Sequence, residues 1–313
     1  MERLYSDEPV PAHLRGAIVA LGNFDGFHLG HQAVVGRAVR RAAEGGRPVI
    51  VATFDPHPAR FFRPDALPFR LTTLDQRERL FAAAGASAML VFRFDAAMAA
   101  TSAQDFVRML VEDVGAVGVV TGADFTFGKA RTGSVATLTE LGAAMGFVVK
   151  AVDPITDAEG LLVSSSRIRS ALVDGDCATA TRLLTRPFTI EGEVVHGDKV
   201  GREWGFPTAN LLIARYLRPA YGVYAVRGRL PDGTVLDGAA NLGIRPQFDV
   251  PKELLEPHFF DFSGNLYGQC IEVELIHRIR GEEKFDSFEA LKGQIGRDCE
   301  IARHILADHP RLA

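Results

Sequence analysis

Two rhythms of hydrophobic and polar residues divide the chain. In its first half, short unbroken apolar runs recur at Ala17-Ile18-Val19-Ala20, Val49-Ile50-Val51-Ala52-Thr53-Phe54, Ala88-Met89-Leu90-Val91-Phe92, Val117-Gly118-Val119-Val120 and Phe147-Val148-Val149. Runs without alternation are strands buried on both faces, as in a parallel sheet covered on each side by helices. Helical patterns separate them. From His31 to Glu44, Val35, Val39 and Ala42 form a stripe apart from Arg37, Arg40 and Arg41, and Gly45-Gly46 stops the helix. Ahead of the fourth run, Thr101-Ser102-Ala103-Gln104-Asp105 offers a hydroxyl cap with an acid three positions on. From Pro187 the rhythm changes to alternation, in Phe188 to His196, Val223 to Arg227 and Ile271 to Ile276, with glycine-rich turns and one final helical stretch from Ser287 to Ala307. The predicted fold is an α/β doubly wound parallel-sheet (Rossmann-like) domain over residues 1–185, followed over 186–313 by an antiparallel β-barrel domain with a terminal helix.

Composition narrows the partners. With 313 residues, 47% apolar and 24% charged, the chain suits two globular domains, and a formal net charge of -4 leaves no basic footprint for nucleic acid. The three cysteines, Cys177, Cys270 and Cys299, are scattered and odd in number, which suits a reducing compartment. Met1 to Glu8 lacks an apolar signal core and no later run is long enough to span a bilayer, so the expected location is cytoplasmic, without membrane contact. No pattern fixes an oligomeric state.

Residues with chemistry gather where the apolar runs end. Leu21-Gly22-Asn23-Phe24-Asp25-Gly26-Phe27-His28-Leu29-Gly30-His31 follows the first run and opens a helix. Its glycines let the backbone turn tightly and approach a ligand, while a helix start presents unpaired N–H groups and a positive dipole end to an anion. His28 and His31, three apart, can both serve one phosphate group where another protein would use lysine. His-x-x-His is also half of a metal site, but structural zinc takes four ligands including Cys, and none is near in sequence. The second run exits through Asp55-Pro56-His57-Pro58, and the fourth through Thr121 to Gly133, which carries Asp124, Phe125, Phe127, Lys129 and Arg131. The latter loop could hold a flat ring beside a phosphate, although one Phe could equally plug the core. Past the fifth run, Ser164-Ser165-Ser166-Arg167 reads as a phosphate contact or as a plain N-cap. Open α/β sheets bind ligands outside the carboxyl ends of their strands, where all of these stretches fall.

In the second half, Gly197 to Asn210 is a glycine loop that could wrap phosphates, with Thr208 and Asn210 completing a magnesium shell, or a surface loop stiffened by Pro207. Glu256 sits among apolar residues, where a carboxylate is costly unless it has work or an ion-pair partner.

In this order, the HxGH turn, the TFDPHP strand end, the GADFTFG loop and the SSSRIR helix start resemble FAD synthetase, a branch of the HxGH nucleotidyltransferase superfamily. Gly205-Phe206-Pro207-Thr208-Ala209-Asn210, with Tyr221 to Tyr224, Asn241 to Pro246 and Asn265 to Gly268, resembles riboflavin kinase. The resemblance covers the chain after about Arg15 and implies the bifunctional riboflavin kinase/FMN adenylyltransferase family: ATP phosphorylates riboflavin to FMN, and a second ATP adenylylates FMN to FAD with release of pyrophosphate. It implies that Gly22, Phe24, Gly26, Gly30, Ser165, Ser166 and Arg167 hold ATP phosphates around catalytic His28 and His31, and that Asp124 and Phe127 take the flavin. In the kinase half it implies ATP contacts from Gly201, Thr208 and Asn210, Mg²⁺ ligation by Thr208 and Asn210, and Glu256 as catalytic base. Ser166 stands where Thr is usual, Thr185 where Gly is, Trp204 where Leu is, Gln247 where Thr is, and Phe259-Phe260 where Leu-Leu is; none removes a reactive group. The alternative is a flavin-nucleotide carrier without turnover, against which the intact His28, His31, Thr208 and Glu256 argue.

Overall fold

The computed structural model describes residues 1–196, 205–213, 215–245 and 252–309. Its contacts form two compact units, one of Met1–Leu67 with Thr72–Ser164, the other of Pro68–Leu71 with Ser165–Ala313. The first contains β1 (Glu2–Tyr5), β2 (Ile18–Leu21), α1 (Leu29–Ala43), β3 (Val49–Asp55), α2 (Pro58–Phe62), α3 (Leu74–Ala83), β4 (Ala88–Arg93), α4 (Ala96–Ala100), α5 (Ala103–Glu112), β5 (Gly118–Gly122), α6 (Val135–Ala144) and β6 (Val148–Val152). All six strands are parallel, in the order β1-β4-β3-β2-β5-β6.

Alternate strand residues feed two cores. Val19, Leu21, Ile50, Ala52, Leu90 and Val119 pack on Phe106, Leu110 and Leu138 of α5 and α6. Ile18, Ala20, Val51, Met89, Val91 and Val120 pack on Val34, Val35 and Ala38 of α1 and Phe81 of α3. Coverage of both faces is what the unbroken apolar runs require, and it thins only at the edge, where Val148 of β6 is 44% exposed. Local signals set the helix bounds. Ser102 caps α5 by accepting from Asp105 N, and Thr73 and Gln76 form a reciprocal capping box on α3. The first helix begins two residues before the expected His31, because His28 itself is the N-cap.

The second unit holds α7 (Ser165–Asp174), α8 (Cys177–Leu184), β7 (Phe188–Glu193), β8 (Leu211–Leu212), β9 (Gly222–Arg229), β10 (Val235–Arg245), β11 (Lys252–Phe259), β12 (Cys270–Arg280) and α9 (Phe288–Asp308). Its strands run antiparallel in the order β7-β12-β9-β10-β11-β8. The ends of that sheet come together where Val195 N donates to Asn210 O at 2.9 Å, so the barrel is nearly closed. Tyr224, Leu242, Leu255, Ile271 and Val273 are fully buried, while Ala225, Ala239 and Phe260, on alternate positions, meet Cys299, Ala302 and Leu306 of α9. The domain boundary expected after residue 185 follows the change of periodicity; the contacts instead group α7 and α8 with the barrel, on which α8 packs through β7 and β12.

Candidate active sites

At the carboxyl edge of the parallel sheet, β2 stands between β3 and β5, and the chain reverses its direction of winding there. Such a switch point opens a crevice for a nucleotide. The turn after β2 fills its rim. His28 caps α1 by accepting from His31 N through Nδ1, at 3.4 Å, so in a neutral ring the proton is on Nε2, a donor of the kind a phosphate oxygen accepts from. The His28 and His31 rings stack with centroids 3.6 Å apart and an interplanar angle of 19°. Gly30 leaves room for them: a Cβ there would stand 3.2 Å from His28 Cε1, tighter than ordinary contact.

The turn is held from below. Its backbone is left-handed at Phe24 (φ 50°), Gly26 (φ 87°) and Phe27 (φ 44°), an arrangement that two non-glycine residues adopt at a cost of about 1–3 kcal/mol each. The Phe24 and Phe27 rings are buried against Phe81 of α3, with centroids 5.7 and 5.1 Å from it. The Phe24 ring therefore belongs to the core and leaves only backbone at the rim. The buried Asp25 carboxylate accepts from Thr72 N at 3.0 Å, and Gly26 N donates to Thr72 Oγ1 at 2.9 Å. Gly22, half-buried, closes the strand by donating to Ala52 O at 3.2 Å.

On the neighbouring strand, Asp124 is exposed just beyond β5, folded back so that a Cβ on Gly122 would lie 2.9 Å from its Oδ1. The Phe127 ring, expected at the flavin, is buried instead. It packs on Phe106, with centroids 5.4 Å apart, because paired backbone bonds between Phe127 and Gly133 pinch the loop and turn the ring into the core. Phe125, half-buried and stacked on it at 5.9 Å, is the ring nearer the surface. Sequence reasoning missed another aromatic group at this edge. Phe62, 65% exposed, joins Phe61 and Phe94 after β3 and β4, with centroids 5.2 and 5.9 Å away. Its signal was an adjacent Phe pair between two arginines with no helical period to absorb it. In the second unit, Ser165, Ser166 and Arg167 form the first turn of α7, which contains no acidic residue; Ser166 is exposed and the other two are half-buried.

In the barrel, β8 pairs with β11 through Leu211↔Leu255 and Leu212↔Leu254, and Ala209 N donates to Pro257 O at 2.9 Å. Continuing that register brings Asn210 level with Glu256 and Thr208 level with His258, on one face. On its other side, Glu256 pairs with Asn241 of β10. The half-buried carboxylate thus lies between two amides, on the barrel face that α9 also covers. His258 Nδ1 meets Pro207 O at 2.9 Å and fixes the approach of the Thr208 segment. The Glu282 carboxylate closes over Gly243, beside Asn241 Nδ2. Gly201, Trp204 and Gln247 lie outside the described residues.

A nucleotide crevice with paired imidazoles, joined to a barrel whose outer face gathers a carboxylate, amides and a hydroxyl, defines a two-module transferase that uses nucleotides. Comparison with known proteins narrows this class. Residues 10–167 match the family described as FAD synthetase, and residues 184–306 the one described as Riboflavin kinase. Curated bifunctional riboflavin kinase/FMN adenylyltransferases from Haemophilus influenzae and Escherichia coli K12 are 40% and 39% identical, covering 93% and 92% of this chain and 94% and 92% of theirs. The chain belongs to the bifunctional riboflavin kinase/FMN adenylyltransferase family. A crystal structure from Streptococcus pneumoniae, named a macrolide-efflux protein, shares the fold with a TM-score of 0.86 and 31% identity, over 97% of this chain and 99% of that one. Among the described residues no helix is long and apolar enough to cross a membrane.

Proposed function

We propose that the two activities of the family are divided between the two units, with FMN formed at the barrel and FAD formed at the HxGH turn, by a protein of the cytoplasm. The chain has the kinase and FAD synthetase domains that make FMN and then FAD. The observation that carries the division of labour is that His28 and His31, stacked on a helix N-terminus, and Glu256, flanked by Asn210 and Asn241, belong to modules of different construction.

At the barrel, the riboflavin 5′-oxygen attacks the γ-phosphorus of ATP, the bond to the bridging oxygen of ADP breaks, and Glu256 accepts the hydroxyl proton. Phosphoryl transfer depends mostly on alignment and on neutralising charge, so the carboxylate's main contribution is to orient the hydroxyl. The Thr208 hydroxyl and Asn210 amide oxygen are hard donors too few to complete a shell, which suits Mg²⁺, an ion that keeps waters and takes phosphate oxygens. Bound there, it would neutralise the phosphates of ATP.

At the sheet, an oxygen of the FMN phosphate attacks the α-phosphorus of ATP as the bond to pyrophosphate breaks. The nucleophile is already ionised and no proton has to move. His28 Nε2, His31 and the α1 N-terminus stabilise the crowded negative charge. In the other unit, the start of α7 offers the hydroxyls of Ser165 and Ser166 and the Arg167 guanidinium to a phosphate. Asp124, Phe125 and the exposed Phe62 group offer polar and flat surfaces for the flavin.

Chromatography of reactions containing riboflavin and Mg-ATP tests the division. Glu256→Gln should stop FMN formation while supplied FMN is still adenylylated, and His31→Ala should let FMN accumulate without FAD. If either substitution abolishes both steps in a folded protein, the two-site assignment is wrong; if the native chain binds flavin and makes neither product, it is a carrier.

A further inference from the structure

Beneath the HxGH turn lie a hydroxyl and a guanidinium that have no part in the reaction as written above. Thr53, fully buried at the end of β3, donates through Oγ1 to the carbonyl oxygen of Asn23 at 2.8 Å. Arg77, 2% exposed and one residue past the capping box of α3, donates through Nη1 to Thr53 Oγ1 at 2.9 Å and to the same carbonyl at 3.3 Å. We propose that Thr53 and Arg77 are positioning residues for adenylyl transfer, which pin the Asn23–Phe24 peptide so that its N–H faces the ATP phosphates.

Three physical steps lead there. In a trans peptide the C=O and N–H point in opposite directions, so a carbonyl drawn inward to Thr53 and Arg77 turns the Phe24 N–H outward, toward the crevice. The residue that follows is Phe24 at φ 50°, a left-handed conformation that a phenylalanine keeps only when its surroundings over-determine it. The strut supplies that constraint on one side, and Asp25 with Thr72 on the other. Finally, a guanidinium keeps its charge when buried, so Arg77 adds a fixed positive field under an anion seat in a region of low dielectric. The Asn23 side chain has a buried Oδ1 with no hydrogen-bond partner among the described residues. A substrate hydroxyl or amine, and not a phosphate oxygen, is the kind of group it could accept from.

This inference rests on the HxGH turn being the adenylylation site. The experiment uses the full chain with separate assays for FMN formation from riboflavin and FAD formation from supplied FMN. Thr53→Val keeps the shape and removes the hydroxyl. It should raise the KM for ATP in FAD formation about tenfold with a smaller change in kcat, while the KM for FMN and the kinase rate stay within about twofold. Thr53→Ser should restore the KM for ATP, and Arg77→Lys should reproduce the defect of Thr53→Val because an ammonium lacks the forked donor geometry. The inference is overturned if Thr53→Val and Arg77→Lys both keep the native KM for ATP, or if Thr53→Val depresses both activities alike and Thr53→Ser does so too. If the native chain makes no FAD from FMN, the functional reading itself has failed, and these variants are not its cause.

Discussion

Replacing Gly30 by Ala tests whether the stacked imidazoles are catalytic equipment or only a helix cap. The added Cβ would stand 3.2 Å from His28 Cε1 and 3.3 Å from His28 Nδ1, a few tenths of an ångström inside ordinary contact. The His28 ring cannot yield freely, because the His31 ring lies against it at 3.6 Å and its Nδ1 already accepts from His31 N at a long 3.4 Å. Moving it weakens the cap, which costs about 1 kcal/mol. Ala in place of Gly within a helix returns up to about 1 kcal/mol, so the stability of the unit should change little. Catalysis has no such offset. A displacement of 1 Å can cost about a hundredfold, so a few tenths should lower kcat/KM for FAD formation about tenfold, or about 1.4 kcal/mol in the transition state. The assay follows FAD made from supplied FMN and Mg-ATP, with FMN formation from riboflavin as the internal control and a thermal melt beside it. FAD formation within twofold of native, at unchanged melting, would refute a catalytic role for ring placement. An equal fall in both activities would show general damage.

Three further outcomes follow from the geometry. Gly222→Ala puts a Cβ against the Arg280 carbonyl oxygen at a residue with φ 145°, so it should destabilise the barrel by about 3 kcal/mol or more and remove FMN formation first, read by denaturant melts and product analysis. Glu253 accepts from Arg218 Nε and from the Tyr221 hydroxyl, both at 2.6 Å, and the Arg218 bond chiefly holds its carboxyl below the ordinary range. Its contribution to stability is therefore present above the ordinary Glu value of about 4.3 and lost as pH falls through the lower folded value, so Glu253→Gln should flatten the acid limb of a stability profile; an unchanged limb contradicts this. Burial pushes the Cys177 thiol up to about 12 and the Cys299 thiol up to about 11, whereas Cys270 is exposed. Mass spectrometry after brief alkylation at neutral pH should find the label on Cys270 alone, with the other two reacting only on unfolding.

The same burial that makes an element stable decides how well it could be read. The central strands β2, β3, β4 and β5 are covered on both faces and leave unbroken apolar runs. Edge strand β1, Glu-Arg-Leu-Tyr, is half polar and was read only for the absence of a signal core. In the barrel, β10 and β11 were visible as motifs and not as strands, because Gly238, Gly243 and Pro257 interrupt the alternation. Gly238 is forced by what crosses it, since a Cβ there would meet the His258 carbonyl oxygen at 2.5 Å, whereas one on Gly243 would meet only the movable end of Glu282. Thr185, which stands where Gly is usual, caps α8 at φ 65°, the left-handed position that glycine takes most readily.

Site chemistry divides along a different line. His28, His31 and Glu256 are legible because a motif fixes their spacing to a helix start or a strand, and that spacing already determines which face they occupy. What orients them is not local. Thr72 reaches Asp25 across 47 residues, Arg77 reaches Asn23 across 54, and Asn241 lies beside Glu256 only through strand pairing. Aromatic residues are the least legible, since a ring that binds a flat substrate and a ring that fills a core have the same composition. Phe127, expected at the flavin, is turned inward by the backbone pairing at Gly133, while Phe62, for which the sequence suggested no role, stays at the surface because a five-residue helix is too short to bury it. Residues whose spacing belongs to a motif are therefore exposed to sequence reasoning, and the buried polar residues that hold the turn appear only when distant segments are brought together.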